Sequence, residues 1–371
     1  MVTLNFLMAE APQLSNWIGK ALYALYQAIG SFGWTVVIFT LCLKVIVSPF
    51  DIWQKIATRR NNRAMKAMKP ELERLQQAYA SDQAALQKKT MQLYKQHGYS
   101  MVGACLPSLI TIVIFFVVFS GFNACVKYEN QLIVYNLAQT YKTQVVETGI
   151  AETGTAEQID GIMLDAYNDL SVDAKGRQKW KWLWIDNVFM ADTWANRVPD
   201  IATYTGSGLG KLNSTIPDTN FNLGSASNRE GVYDALLGPA MDAYNKTGAT
   251  AWKRFWDVKH WNGYLILPIL SLALSILSTF LMRGNQPEQP TQVGADGKPV
   301  NNGMSMKMMM WIMPIMIGVF SLFYSAAFCI YMFTNSLTTV LINLIFNLVT
   351  KKKDAREDAA LAAAPYRRGT K

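Results

Sequence analysis

The chain has 371 residues, 51% of them hydrophobic, and a formal net charge of +9. Its apolar residues gather in runs approaching twenty, separated by polar stretches, which predicts an all-α polytopic membrane protein rather than a set of soluble domains. Four cysteines without a CxxC pair, and only two histidines, His97 and His260, exclude a disulfide framework and a zinc site.

The N-terminus lacks a basic n-region and a cleavage site, so no signal peptide is predicted, and no early cysteine suggests a lipid anchor. Residues 1–29 hold an amphipathic helix, with Leu14, Trp17, Ile18, Ala21, Leu22, Leu25 and Tyr26 at helical spacing. It is expected either in the outer interface of the bilayer or as the start of the first span.

Residues 30–50 form the first span, and they carry Lys44. A lysine at the centre of a span costs roughly 2.5–3.5 kcal/mol on insertion scales, so it marks a functional position by default. The bland alternative is snorkelling to cytoplasmic water: Phe50 lies six residues on, about 9 Å along a helix. Position alone leaves both readings open.

Residues 51–100 carry ten Lys/Arg against four acids and read as a basic helical hairpin. Pro70 interrupts its apolar stripe, Ser81 is a candidate N-cap for a helix over Asp82–His97, and Gly98 a candidate C-cap. Arg59, Arg60, Arg63 and Lys66 are its candidate contact residues. The competing reading is a solvated basic loop that only fixes orientation.

Residues 101–122 are the second span, where Pro107 implies a local break in backbone bonding. Residues 123–260 hold thirteen Lys/Arg against sixteen acids and are expected outside. Helices are predicted there over Gln131–Thr148, Thr155–Leu170 and Pro239–Lys246, with a loop over Val198–Gly231. The aromatic-rich stretch Lys179–Trp194 is expected at an interface. Gly206–Lys211 is not a phosphate loop, because its spacing is wrong and Leu212 stands where Ser or Thr is needed. Asn213-Ser-Thr matches a glycosylation sequon, a pattern common by chance.

Residues 261–283 are the third span and 284–306 a Pro- and Gly-rich cytoplasmic loop. The methionine-rich fourth span, 307–325, and the fifth, 326–350, form a tight hairpin. The tail, 351–371, holds seven Lys/Arg against three acids and is expected to be largely disordered from Ala359. Basic segments stay cytoplasmic, so the charge pattern places the N-terminus outside and the C-terminus inside, as five spans require. Topology thus explains the basic residues and removes the reason to invoke DNA or RNA as the primary partner, although the tail could still touch RNA or anionic lipid.

No nucleophile–base pair, metal cluster or phosphate loop survives, so the chain is expected to be no enzyme and to use no cofactor. The remaining candidates are polar residues inside spans: Lys44, Ser108 and Thr111, then Ser271, Ser275 and Ser278, then Asn335, Thr338, Thr339 and Asn343. They form either a polar surface inside the bundle or ordinary inter-helix hydrogen bonds. The cluster Met308–Met310, Met313 and Met316 is either a pliable contact surface or packing.

Several stretches together resemble the YidC/Oxa/Alb family of membrane protein insertases. They are Leu43–Phe50 (LKVIVSPF), Met68-Lys-Pro70, Leu93-Tyr-Lys, Gly103-Ala-Cys-Leu-Pro107, Leu183-Trp-Ile, Met313-Pro314 and Ile330-Tyr-Met-Phe-Thr-Asn335. The resemblance covers all five spans in order. It implies a polar groove open to the cytoplasm and to lipid, holding a single basic residue, here Lys44 where many bacterial members carry Arg. Ser108, Thr111, Ser275, Tyr331, Asn335 and Thr338 are the candidate residues beside it. The hairpin would receive nascent membrane proteins, and new spans would leave sideways into lipid without nucleotide hydrolysis. The implied setting is a bacterial plasma membrane, with the ribosome and the Sec translocon as optional partners. Snorkelling and function then become compatible, since a lysine reaching into such a groove reaches the place where substrate arrives.

Three features depart from the family pattern. Thr111 and Val113 stand where relatives commonly have Gln and Pro, Ser325-Ala-Ala replaces Ser-Gly-Leu, and the external segment is long. The competing function is a small-solute or anion transporter or channel using Lys44; it predicts an internal repeat, and none is visible. An external enzyme would have acids such as Asp160, Asp165 and Asp186, but no catalytic motif.

Overall fold

The computed structural model describes residues 13–79, 82–99, 101–199, 226–245, 250–282, 312, 315–316, 318–319 and 321–363. Side chains are described within these except at 83, 101–109, 111–112, 226–230, 251, 254, 351–355 and 357–363. The Gly206–Lys211 stretch, the Asn213 sequon, Ser81, and Met308–Met310 and Met313 lie outside the described residues. Among the described residues the chain is helical, with no strand beyond the isolated bridges Val172–Gln178 and Trp182–Ile185. The helices are α1 (Trp17–Ile29), α2 (Phe32–Ala78), α3 (Gln83–Gln96), α4 (Met101–Thr140), α5 (Ile150–Thr153), α6 (Ala156–Ser171), α7 (Ala226–Asn245), α8 (Ala251–Trp256), α9 (Ile266–Met282) and α10 (Ala326–Ala363). By length and composition, Phe32–Ala78 and Ala326–Thr350 can each cross a membrane, and Ile266–Leu281 is a shorter apolar helix.

The residues form two compact units. One comprises Met1–Cys42, Phe115–Ser271 and Ile317–Thr334; the other comprises Leu43–Ile114, Leu272–Met316 and Asn335–Lys371.

In the first unit, local chemistry sets the bounds of α1. The Asn16 side chain accepts hydrogen bonds from Ile18 N and Gly19 N, each at 3.0 Å, satisfying two orphan donors. At the other end Gly30, at φ 77°, takes the left-handed conformation that closes a helix and donates to Tyr26 O. On its apolar face Trp17 is exposed, while Ile18, Leu22 and Tyr26 are buried in the protein. Gly121 on α4 makes this possible, because a Cβ there would run into Ile18. Phe32 is fully buried at the centre of the unit, with the rings of Tyr26, Phe122 and Phe189 at 5.2, 6.2 and 4.8 Å.

The aromatic stretch after α6 is packed inward. Trp180, Trp182, Ile185, Val188, Phe189 and Met190 are buried, and Leu183 takes a positive φ of 50° at the turn between Trp182 and Ile185. This strap caps two helices. Asp192 Oδ2 accepts from Leu267 N at 2.8 Å, in the first turn of α9. Met190 O and Val188 O accept from Ala326 N and Ala327 N at 2.6 and 2.8 Å, at the start of α10. Asn262, fully buried, ties the strap together: its Oδ1 accepts from Asn187 N, and its Nδ2 donates to Asn187 O and Ala191 O.

In the second unit, α2 and α3 pack through Met65, Met68, Leu72 and Leu93, with Leu75, Tyr94 and Tyr99 against them. Asp82, one residue after the expected Ser81, is the N-cap of α3 and accepts from Ala85 N at 2.9 Å; His97 is the C-cap, and Gly98 follows at φ 66°. Replacing Asp82 by Ala should cost about 1 kcal/mol of hairpin stability, read as faster amide exchange over the first turn of α3.

Several expected boundaries move. Pro49 and Pro70 both sit inside α2, which is one helix of 47 residues, so Pro70 does not separate two helices. Likewise α4 continues through position 107 and on past 122 to Thr140, followed by a π-helical turn over Tyr141–Val146. Residues 226–231, expected as loop, begin α7, and 261–265 precede α9 rather than belonging to it. The helix that starts at Ala326 runs on to Ala363, through the start of the basic tail.

Candidate functional site

The second unit places Lys44, Asp51 and Lys55 along one face of α2. The offsets of seven and four residues return to nearly the same side of an α-helix. Lys44 Nζ lies 2.9 Å from Asp51 Oδ2, and the two side chains are only 11% and 13% exposed. Lys55 is buried, and its ammonium has no hydrogen-bond partner among the described residues. Its charge interacts favourably with Asp51 and unfavourably with Lys44. The three groups therefore form a largely desolvated cluster with two cations and one anion.

Around the cluster, α2 is apolar outward. Val45, Ile46, Phe50, Ile52, Trp53 and Ile56 are exposed large hydrophobics, so the apolar exterior extends beyond Phe50 past Asp51 and Lys55. The Lys55 ammonium lies 5.7 Å and the Arg59 guanidinium 5.2 Å from the centroid of the Phe346 ring on α10. Next to this contact, Asn343 Nδ2 donates to Ser278 Oγ at 3.1 Å and Asn347 Nδ2 to Leu281 O at 3.2 Å. Polar bonds thus join α10 to α9 on the same segment of α10 that meets the cations of α2.

The expected site residues fall as follows. Lys44 is paired rather than free. Ser275, Asn335 and Thr338 are half-buried on α9 and α10 in the same unit. Tyr331 belongs to the first unit and is buried, with the Phe328 ring at 6.1 Å. Ser108 and Thr111 sit on the helical backbone of α4, but their side chains lie outside the described residues. In the hairpin, Arg60 and Lys66 are exposed, Arg63 is half-buried and Arg59 is taken up by Phe346. Asp51, Lys55 and Phe346 were not among the expected residues. The spacing 44, 51, 55 was the available signal for the first two; a span drawn to stop at Phe50 cut it in half.

Among the described residues, no group of three or more His, Cys, Asp or Glu is placed to hold a metal ion.

Comparison with known proteins gives a family match over most of the chain. The family described as 60Kd inner membrane protein matches residues 24–215 and 231–354. A protein of Fusobacterium nucleatum named membrane protein insertase YidC is 37% identical over 106 residues, covering 29% of this chain and 50% of that protein. Proteins of the same name from Helicobacter pylori and Leptospira interrogans are each 32% identical, over 95 and 107 residues. Those alignments cover 26% and 29% of this chain, and 17% and 16% of the relatives. The matched segments span half or less of these relatives' own lengths.

Proposed function

Because the chain belongs to the 60Kd inner membrane protein family, the YidC/Oxa1 family, we propose that it is a membrane protein insertase and membrane chaperone. It takes hydrophobic segments of newly made proteins from the cytoplasmic side into the bilayer. The observation that carries this reading is the Lys44–Asp51–Lys55 cluster, held nearly out of water on a helix whose exterior is apolar.

Charges are expensive in such a place unless paired, and three of them cannot all pair with one another. The surplus cation gives an arriving carboxylate a partner at membrane depth, in exchange with Asp51. Polar residues of α9 and α10 add hydrogen bonds on the same route, which shortens the apolar barrier. The arriving span then partitions into lipid on its own hydrophobicity, so no nucleotide is needed. The hairpin of α2 and α3 would receive the substrate in the cytoplasm. Five spans, an N-out/C-in topology and a bacterial inner-membrane location complete the proposal, with nascent membrane proteins as substrates and the ribosome or Sec translocon as further partners.

The test is rescue in cells depleted of their own insertase, following insertion of small single- or double-span substrates. Wild type and Lys44→Arg should rescue. Lys44→Ala should lose most on substrates with acidic translocated segments, by about tenfold or more if one charge-assisted contact of 1.5–3 kcal/mol is lost. Failure of the stably expressed wild type to rescue would sink the insertase reading. Equal activity of Lys44→Ala on every substrate would leave the insertase reading standing but remove Lys44 from the mechanism.

A further inference from the structure

The first unit contains a cavity of about 420 Å³ that the insertion mechanism does not use. Its wall is made by the end of α1, the post-span part of α4 and the turn after α6, a volume within the range of small-molecule sites. Glu129 on α4 lines it and is only 5% exposed. Glu129 Oε1 accepts from the Tyr26 hydroxyl at 3.3 Å, while Oε2 is buried without a hydrogen-bond partner among the described residues. The indole N–H of Trp180, also in the wall, approaches this carboxyl and favours its charged form, but without the geometry of a hydrogen bond. A buried carboxyl with an unused oxygen needs either a proton or a cation.

The outer part of the same wall is basic. Lys175 is exposed and Lys179 half-exposed, and both line the cavity. Arg177 also lines it, but is committed to Asp173 through contacts of 2.7 and 2.8 Å. The cavity thus places one acid inside and two amines toward solvent: Lys175, which is exposed, and Lys179, whose ammonium lies 5.9 Å from the centroid of the Trp180 ring. A ligand that satisfies both carries a cation at its buried end and an anion behind it.

We propose that this cavity binds a primary ammonium carried next to a phosphate, the chemistry of a phosphoethanolamine headgroup, with the ammonium on Glu129 and the phosphate on Lys175 and Lys179. The ammonium supplies donors to the unused Oε2, which a quaternary ammonium cannot do. An aminophospholipid is the source favoured by the expected place of residues 1–29 and 123–260 at the outer face of the membrane. That choice of source rests on the membrane reading of the chain and not on its insertase activity.

The variant Glu129→Gln keeps an acceptor for Tyr26 and removes the charge. Burial pushes the Glu129 carboxyl above its ordinary pKa, against the smaller opposing pull of Trp180, Lys179 and Tyr26; Tyr23, Tyr26, Tyr128 and Cys125 carry no charge at neutral pH. A raised acid is protonated in the fold before it is in the unfolded chain. The wild type therefore loses stability as pH rises from the unfolded pKa through the folded one. Glu129→Gln should fold, and its ligand-free Tm should gain on the wild type as pH increases.

The experiment is thermal unfolding of the full chain in detergent at neutral pH. Free O-phosphoethanolamine, phosphocholine and inorganic phosphate are compared, as are mixed micelles containing phosphatidylethanolamine, phosphatidylcholine or phosphatidylglycerol. Phosphoethanolamine should raise the wild-type Tm by about 2–4 °C or more near saturation. Phosphatidylethanolamine should do so at lower concentration if the lipid is the source, and no better than the free compound if it is not. Phosphocholine should give a third of the shift or less. Glu129→Gln should abolish the preference for the primary amine, and Lys175→Ala should weaken binding severalfold while leaving that preference. An unchanged shift in Glu129→Gln, or an equal response to phosphocholine or to phosphatidylglycerol, overturns the proposal. Either result leaves the rescue assay, and with it the insertase reading, untouched.

Discussion

Asp51→Ala is expected to destabilise the protein more than Lys44→Ala, while Lys44→Ala is expected to do more damage to insertion. The opposite ranking follows from the charge count of the cluster on α2. Removing Lys44 leaves Asp51 with Lys55, whose charges already attract, so the remaining pair is neutral and the loss should stay near that of one buried hydrogen bond, about 1–3 kcal/mol. Removing Asp51 leaves two cations nearly out of water with no anion between them, which should cost about 3 kcal/mol or more. Under the proposed function the ranking reverses, because an acidic substrate residue would need the cations and not their internal competitor. Normalised to folded protein, Asp51→Ala should still insert substrates with acidic segments, and Lys44→Ala should not. Lys55→Met is the control: it removes the buried amine that lacks a hydrogen bond, leaves the Lys44–Asp51 pair, and should stabilise the protein. Chemical unfolding in detergent and the depletion assay read the two rankings. Parallel rankings would mean that the cluster serves only the fold.

The helices were legible in the sequence wherever a periodic apolar face or a cap announced them. The spacing of Leu14, Trp17, Ile18, Leu22, Leu25 and Tyr26 marks α1, and the basic, helix-forming composition of residues 51–100 marks the hairpin of α2 and α3. Boundaries failed where proline or composition was read as a stop. Pro49 and Pro70 each remove one backbone donor, yet α2 runs through both. A local rule on Pro could not tell a break from a tolerated position, because the outcome depends on what packs around the helix. Lys44 stood out because it is a charge in an apolar run. Asp51 did not, because it sits where a polar segment was expected to begin. The strap at 180–192 was visible as aromatic content but not as a cap: its bonds to α9 and α10 reach 75 residues from Asp192 to Leu267 and 136 from Met190 to Ala326, and nothing local encodes such pairings.

That strap gives the second large effect, expected in Asn262→Ala. The Asn262 side chain makes three hydrogen bonds to the backbone of Asn187 and Ala191 and has no exposure to solvent. Truncation to Ala leaves the buried N–H and carbonyl of Asn187 and the half-buried carbonyl of Ala191 short of partners, and no methyl group can replace them. At about 1–3 kcal/mol for each unsatisfied group, partly relieved by relaxation, the loss should reach about 3–5 kcal/mol. The damage should also travel. Val188, Met190 and Asp192 present the groups that cap α10 and α9, so a loosened strap uncaps the first turns of both helices. Amide exchange should therefore rise at Leu267, Ala326 and Ala327 before it rises in the α2–α3 hairpin. Insertion should fall for acidic and neutral substrates alike, unlike the charge-selective loss in Lys44→Ala. A normal exchange pattern at Ala326 and Ala327 in Asn262→Ala would show that α10 holds its first turn without the strap, and would confine Asn262 to the folding of the strap itself.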